Sequence, residues 1–108
     1  MEIKDFQKQV IRTFGEMDKM PNRTKHSKQS AVIHLVKEIG EIARQITNEH
    51  HRPEKFNKEN LSEELADAMM FIVLLADYYN IDISQNMGKS IKKVEKGIEN
   101  LKQKHNLN

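Results

Sequence analysis

Two short stretches decide the predicted fold: LVKEIGEI at residues 35–42 and EELAD at residues 63–67. Each contains two carboxylates three positions apart, Glu38 with Glu41 and Glu64 with Asp67. At this spacing two side chains lie on one face of a helix, with their Cβ atoms roughly 5–6 Å apart. Both pairs are embedded in apolar sequence. The stretches therefore predict two helices that carry acidic groups on faces shielded from water.

Two carboxylate pairs that face each other would form a cation site. An unpaired buried carboxylate is costly, so it either becomes protonated or binds a cation. An all-oxygen set of ligands is preferred by hard cations, so the sequence predicts a Mg²⁺ site between the two helices. The simpler alternative is that both pairs are exposed and interact with lysines. A di-iron site is less consistent, because it requires a Glu-x-x-His on each of two helices and the partners here are Glu41 and Asp67.

The composition limits the class of protein. The chain has 108 residues, of which 37% are apolar and 31% charged, and its net charge is +2. These values are typical of one charged, soluble helical domain over residues 1–108, and the charge is too small to indicate nucleic-acid binding. There is no cysteine, so neither disulfides nor thiolate metal sites form. With no signal peptide at the start and an apolar run over residues 68–76 too short to cross a membrane, we expect a cytoplasmic protein.

Apolar periodicity predicts four helices and no strands. The first three are expected at residues 3–17, 28–47 and 61–79, with Asn60 as the N-cap of the third. The last carries a heptad-like stripe at Met87, Ile91, Val94, Ile98 and Leu101. The third helix is apolar nearly all round, so a partner subunit should cover one side. We predict an all-α, four-helix-type bundle that oligomerises through its apolar helices.

The second helix has two contrasting stripes. One is apolar and one is entirely polar, and the polar stripe consists of His34, Glu38, Glu41, Gln45 and Asn48. Residues 20–27 before this helix are polar and basic, which is consistent with a solvated connector or a basic lid over an anionic ligand. Because Mg²⁺ sites are usually completed by substrate phosphates, a nucleotide or another diphosphate is the expected ligand. Attack of a metal-activated water on phosphorus is the expected reaction.

These motifs resemble the signature of the MazG-like, all-α nucleotide pyrophosphohydrolases, which is Glu-Glu-x-x-Glu, a spacer and Glu-x-x-Asp. The resemblance implies a helical bundle that forms homodimers or homotetramers. It also implies Mg²⁺-dependent hydrolysis of a nucleoside triphosphate to monophosphate and pyrophosphate. By this match Glu38, Glu41, Glu64 and Asp67 would be the metal ligands and catalytic residues.

Two positions depart from the family pattern. Lys37 replaces its first glutamate, which leaves the number of metal ions open. Lys93-Val94 stands where many relatives have a lysine followed by asparagine, which leaves substrate choice open. We expect Lys93, Lys89 and Lys37 to hold phosphates, with Mn²⁺ as an alternative to Mg²⁺.

Further expectations concern residues around the carboxylates. Glu63, or one of the four ligands, is expected to orient the attacking water. His34 and Gln45 share the polar stripe and are the expected sugar or base contacts. Two other functions stay open at this point: a non-catalytic helical module that kept the bundle but lost turnover, and a nucleic-acid binder that uses the lysines of the last helix.

Overall fold

The computed structural model describes residues 1–106 and confirms the all-α class. Its four α-helices are α1 (Ile3–Asp18), α2 (Lys28–His51), α3 (Lys58–Tyr78) and α4 (Ile83–Lys104), with a 3₁₀ turn at Pro53–Lys55. No strand occurs within that range. Residues 107–108 lie outside the described residues. None of the described helices combines the length and apolarity needed to cross a bilayer.

Side-chain caps explain where the helices begin. Ser27 caps α2 in a reciprocal box, in which its Oγ accepts from Ser30 N–H (3.1 Å) and Ser30 Oγ accepts from Ser27 N–H (2.8 Å). The predicted cap of the third helix was wrong. Asn57 is the cap and its Oδ1 accepts from the Asn60 N–H (3.1 Å), so α3 begins at Lys58. The second helix is longer than predicted and ends at His51, just before Pro53.

The hydrophobic core lies where α1 and α2 pack on α3. It consists of Val10, Phe14, Ala31, Val73 and Leu74, with partly buried neighbours that include Ile83 at the start of α4. The Phe14 ring lies edge-on to the Phe71 ring, with centroids 5.9 Å apart. Such edge-to-face contacts add to the stabilisation from burial alone. The core therefore joins three helices and only the first turn of the fourth.

Much of the apolar surface is exposed in the single chain. The apolar stripe of α2 is more than half exposed at Val36, Ile39 and Ile46, although periodicity alone would place it in a core. The same is true of Ile91, Val94 and Leu101 on α4. The radius of gyration is 18.2 Å, against about 13 Å for a compact chain of this length. One chain therefore does not close its four helices around one core.

Candidate active site

The polar stripe of α2 faces α3. The ring of His34 stacks on Phe71, with centroids 5.1 Å apart and planes 12° from parallel. One turn further along α2, Glu38 lies near Asp67, which is one turn before Phe71 on α3. A step forward on one helix is thus matched by a step back on the other. The two helices pair antiparallel, with the acidic groups between them.

The acidic layer between α2 and α3 is formed by Glu38, Glu41, Glu64 and Asp67. Two carboxylate oxygens in this layer are buried and unpaired. Glu38 is only 7% exposed, and its Oε2 has no hydrogen-bond partner among residues 1–106. Glu64 on the facing helix has a buried Oε2 in the same situation. Buried polar atoms almost always have a partner, because leaving one unpaired costs about 1–3 kcal/mol and more for a charge. Such an oxygen is satisfied either by protonation of the carboxyl group or by a bound cation.

The electrostatics of Glu38 agree with this interpretation. Burial raises the pKa of its carboxyl group, and the neighbouring charges of Glu41 and Asp67 raise it further. Lys37 acts in the opposite direction and lowers the pKa of the same carboxyl. Without a cation, three acidic groups are thus held together against their repulsion. A divalent ion would relieve that repulsion.

The four predicted ligands lie in one layer without forming a finished cage. Glu41, Glu64 and Asp67 are half-buried, and none of the four is exposed to open water. Within the described range, no group of three or more acidic or histidine side chains is close enough to hold a metal ion. The side chains would therefore have to move before they could coordinate one ion together.

A comparison with known families identifies this segment. The model of the MazG nucleotide pyrophosphohydrolase domain matches residues 26–101. The chain belongs to the MazG family. Neither a curated protein nor a solved structure matches it. The MazG match covers α2, α3 and most of α4, so all four carboxylates lie within the matched residues. The match does not include α1, which packs against α3.

Other predicted site residues have different surroundings. Gln45 is buried, and its Oε1 accepts a hydrogen bond from the Asn57 N–H (2.9 Å). It therefore ties α2 to the cap residue of α3. His34 is half-buried against Phe71, an aromatic residue that the sequence reasoning did not single out. The available signal was its position four residues after Asp67 in the MazG motif.

The predicted phosphate-binding lysines and Glu63 are all exposed. Lys89 and Lys93 lie on α4, which packs against α1. Within residues 1–106 the only ion pair joins His26 to Asp18 (2.8 Å), so neither lysine is paired with the carboxylates of its own chain. The single MazG chain brings Glu38, Glu41 and Asp67 together but does not pair them with Lys89 or Lys93.

A depression of about 450 Å³ lies beside the acidic layer's helices, toward the start of α2 and the end of α3. Lys28 lies over the ring of Tyr79 at its rim, 4.6 Å from the centroid. Its other lining residues are Gln29, Val32, Ile33 and Leu75. None of the four carboxylates contributes to it. In the single chain, the depression and the acidic layer are separate features.

Proposed function

We propose that the protein is a Mg²⁺-dependent nucleoside triphosphate pyrophosphohydrolase that releases nucleoside monophosphate and pyrophosphate. Membership of the MazG family supports nucleotide pyrophosphohydrolase activity. The observation that carries the proposal is the pair of unpartnered, buried oxygens of Glu38 and Glu64 on facing helices. A purely structural helix pair would be more stable with apolar residues at these positions.

The donor set fits a hard divalent cation. Glu38, Glu41, Glu64 and Asp67 would hold Mg²⁺, or Mn²⁺ in its place, because carboxylate oxygens without nitrogen or sulfur ligands suit these ions. When bound, the ion would activate water and neutralise charge on the leaving pyrophosphate. No three acidic or histidine side chains of residues 1–106 are close enough to hold an ion, so side-chain movement, together with waters and substrate phosphates, would complete the coordination.

The remaining roles belong to the chain's own residues. Glu63, or one of the four ligands, would orient the water whose oxygen bonds to the α-phosphorus while the bond to the β-phosphate oxygen breaks. Lys93, Lys89 and Lys37 would hold phosphate oxygens. His34, on the same stripe as the acidic groups, would contact the sugar or base. Gln45 would contact the sugar or base through its side-chain amide, whose Oε1 already accepts one hydrogen bond from the Asn57 N–H.

The proposed active form is a homodimer or homotetramer. Apolar side chains of α2, α3 and α4 are extensively exposed in one chain, and contiguous apolar patches of this kind mark interfaces. Association would also allow α4 of one copy to bring lysines to the carboxylates of another. The oligomeric state and the enzymatic activity are therefore expected to be lost together.

The activity is tested by Glu41→Gln, which keeps the shape of the side chain and removes its charge. We expect pyrophosphate release from a panel of common and damaged nucleotides to fall at least about a hundredfold, because even losing a partner of a metal ligand costs 10–100-fold. Calorimetry with Mn²⁺ should show correspondingly weaker binding. Glu49→Gln is the matched control, an exposed glutamate on the same helix that should behave as wild type. Full activity in Glu41→Gln would reject the site.

The assembly is tested by Ile39→Asp, which places a charge in the exposed apolar stripe of α2. Light scattering coupled to size exclusion should show the wild type at two or four times the chain mass and the variant at a smaller multiple. Thr13→Asp, at an exposed polar position on α1, should leave the mass unchanged. A wild-type protein with the mass of one chain would refute the oligomer.

The alternative, a non-catalytic module, would be favoured by ion pairs between the acidic stripe and the lysines of α4. No such pair occurs among residues 1–106, where His26 and Asp18 form the only one. The acidic layer is thus not neutralised within the chain, which favours a site that binds a cation. A nucleotide screen without any pyrophosphate release would restore the alternative.

A further inference from the structure

The helix α4 is attached to the rest of the chain only at its base. None of its residues is buried. Asp82, Ile83 and Ser84 are half-buried, whereas every residue from Gln85 to Asn106 is exposed. Within one chain, contacts near its start therefore set the direction of the helix. A 22-residue helix is about 33 Å long, so a tilt of about 10° at the base moves the far end by roughly 6 Å.

One buried polar side chain dominates that base. Gln7 of α1 is only 7% exposed, which is unusual for glutamine. Its Nε2 donates to the carbonyl oxygens of Ile81 (3.0 Å) and Val73 (3.4 Å), and its Oε1 accepts from the Ile83 N–H (3.3 Å). The partners are 66 to 76 positions away in sequence. One side chain thus joins α1 to the end of α3, to the connection and to the start of α4.

The bond to Ile83 has a specific consequence for α4. The first N–H groups of a helix have no partner within the helix and need one from outside. Asp82 supplies its own helix with a cap by accepting from the Ser84 N–H (3.0 Å). The Ile83 N–H, at the first helical position, is accepted by Gln7 instead. Gln7 therefore caps α4 from a different helix and fixes the cap relative to α1.

We infer that Gln7 is a positioning residue that sets the direction of α4 and thereby places the α4 lysines for phosphate binding. The second half of this inference rests on the proposed function. Gln7 lies outside the residues that match the family model, 26–101. Removing it should leave the carboxylates between α2 and α3 in place, because its hydrogen-bond partners are Val73, Ile81 and Ile83 and none of the four acidic residues.

The test uses Gln7→Met, which keeps the length of the side chain and removes its hydrogen bonds. Gln9→Met is the matched control, because Gln9 is an exposed glutamine on the same helix. The chain has no cysteine, so spin labels can be placed at Thr13→Cys and Lys96→Cys, both exposed. Diluting labelled chains with unlabelled ones restricts the measured distance to a single chain. We expect the distribution of label–label distances to broaden by several ångströms in Gln7→Met and to match that of the parent in Gln9→Met.

Two further measurements separate positioning from general destabilisation. Exchange of the Ile83 amide should become at least about tenfold faster in Gln7→Met, while the Val73 and Leu74 amides in the core exchange as in the parent. In nucleotide hydrolysis, KM should rise about tenfold with kcat within twofold, because a displaced lysine weakens charge-assisted contacts to phosphate. An unchanged label distance would overturn the positioning role. An unchanged KM with a changed distance would overturn its link to phosphate binding.

The distance and exchange measurements need no enzymatic activity. They decide the role of Gln7 even if the wild type releases no pyrophosphate, which would reject the proposed function alone. If Gln7→Met does not fold, Gln7→Glu replaces it. A protonated glutamic acid can donate to Ile81 and accept from Ile83, whereas an ionised one cannot donate. The label distance of Gln7→Glu should return to the parent value between pH 8 and 5, and a distance independent of pH would contradict the inference.

Discussion

Toward α1, the helix α3 presents apolar contacts, in which Phe71 meets Phe14 edge-on and Val73 is buried. Toward α2, the same helix presents Glu64 and Asp67 to the acidic groups of the polar stripe. The first face stabilises the fold by removing apolar surface from water. The second face costs stability, because like charges are held in a partly desolvated layer. The apolar face toward α1 therefore fixes α3 in place. The acidic face toward α2 keeps an unfavourable arrangement of charges that would suit a cation.

The largest change in stability is expected from Phe14→Ala, which removes a contact on the apolar face of α3. Phe14 is 8% exposed and touches both Phe71 and His26. Truncating a buried phenylalanine costs about 3–5 kcal/mol of unfolding free energy. Urea denaturation should show this loss, while Thr13→Ala at the exposed neighbouring position should change it by less than about 0.5 kcal/mol. A cost below about 1 kcal/mol would mean that the apolar face does not support the fold.

A smaller change in stability, and a gain instead of a loss, is expected from Glu38→Gln in the acidic layer between α2 and α3. In the presence of EDTA, removing this buried charge should raise Tm, because it relieves repulsion from Glu41 and Asp67. Mg²⁺ should raise the Tm of the wild type, since a ligand that binds only the folded state stabilises it. The variant should lose that response together with its activity. A variant less stable than the wild type in EDTA would show that the acidic layer contributes to folding.

The smallest effect is the dependence of stability on pH. The pKa of Glu38 is raised above its ordinary 4.5 in the folded state. The folded protein therefore binds this proton more readily than the unfolded one, and metal-free stability should rise as pH falls toward 4.5. Asp18 acts in a separate window, because the backbone and ring N–H groups of His26 hold its pKa below 3.8 and its contribution is lost only in stronger acid. Tm measured in EDTA should show a shallower slope for Glu38→Gln than for the wild type.

The sequence predicted the class of fold, the family and acidic side chains of α2 turned toward α3, but not that much of the apolar stripe of α2 would be exposed in one chain. Periodicity separates the polar stripe from the apolar one, yet it does not say which neighbour each one meets. Glu38 and Gln45 are buried because the polar stripe packs on α3, whereas Ile39 and Ile46 are left exposed within the described residues. Hydrophobic burial alone would give the reverse orientation, and this difference supports the proposed cation site.

Other details depended on contacts distant in sequence. Asn57 and Asn60 are equally good N-caps by type, and the choice of Asn57 coincides with its backbone bond to Gln45. Gln7 has no local signal, because its partners lie at the opposite end of the chain. The spacing predicted the four carboxylates as metal ligands, which stays a prediction, and it could not indicate that no three of them are close enough to hold an ion within residues 1–106.

The exposure of α4 from Gln85 onward has a consequence for handling the protein. An isolated helix that contains glycines such as Gly88 and Gly97 is only marginally stable in water. From Gln85 onward, α4 is not packed against the hydrophobic core of its own chain. Its helicity should therefore depend on how concentrated the sample is, with the segment unravelling on dilution. Trypsin cleavage between Lys89 and Lys104 should then become faster on dilution, whereas cleavage after Arg23 and Lys25 in the exposed connector should not change. A brief digestion at two concentrations would therefore report whether chains have associated.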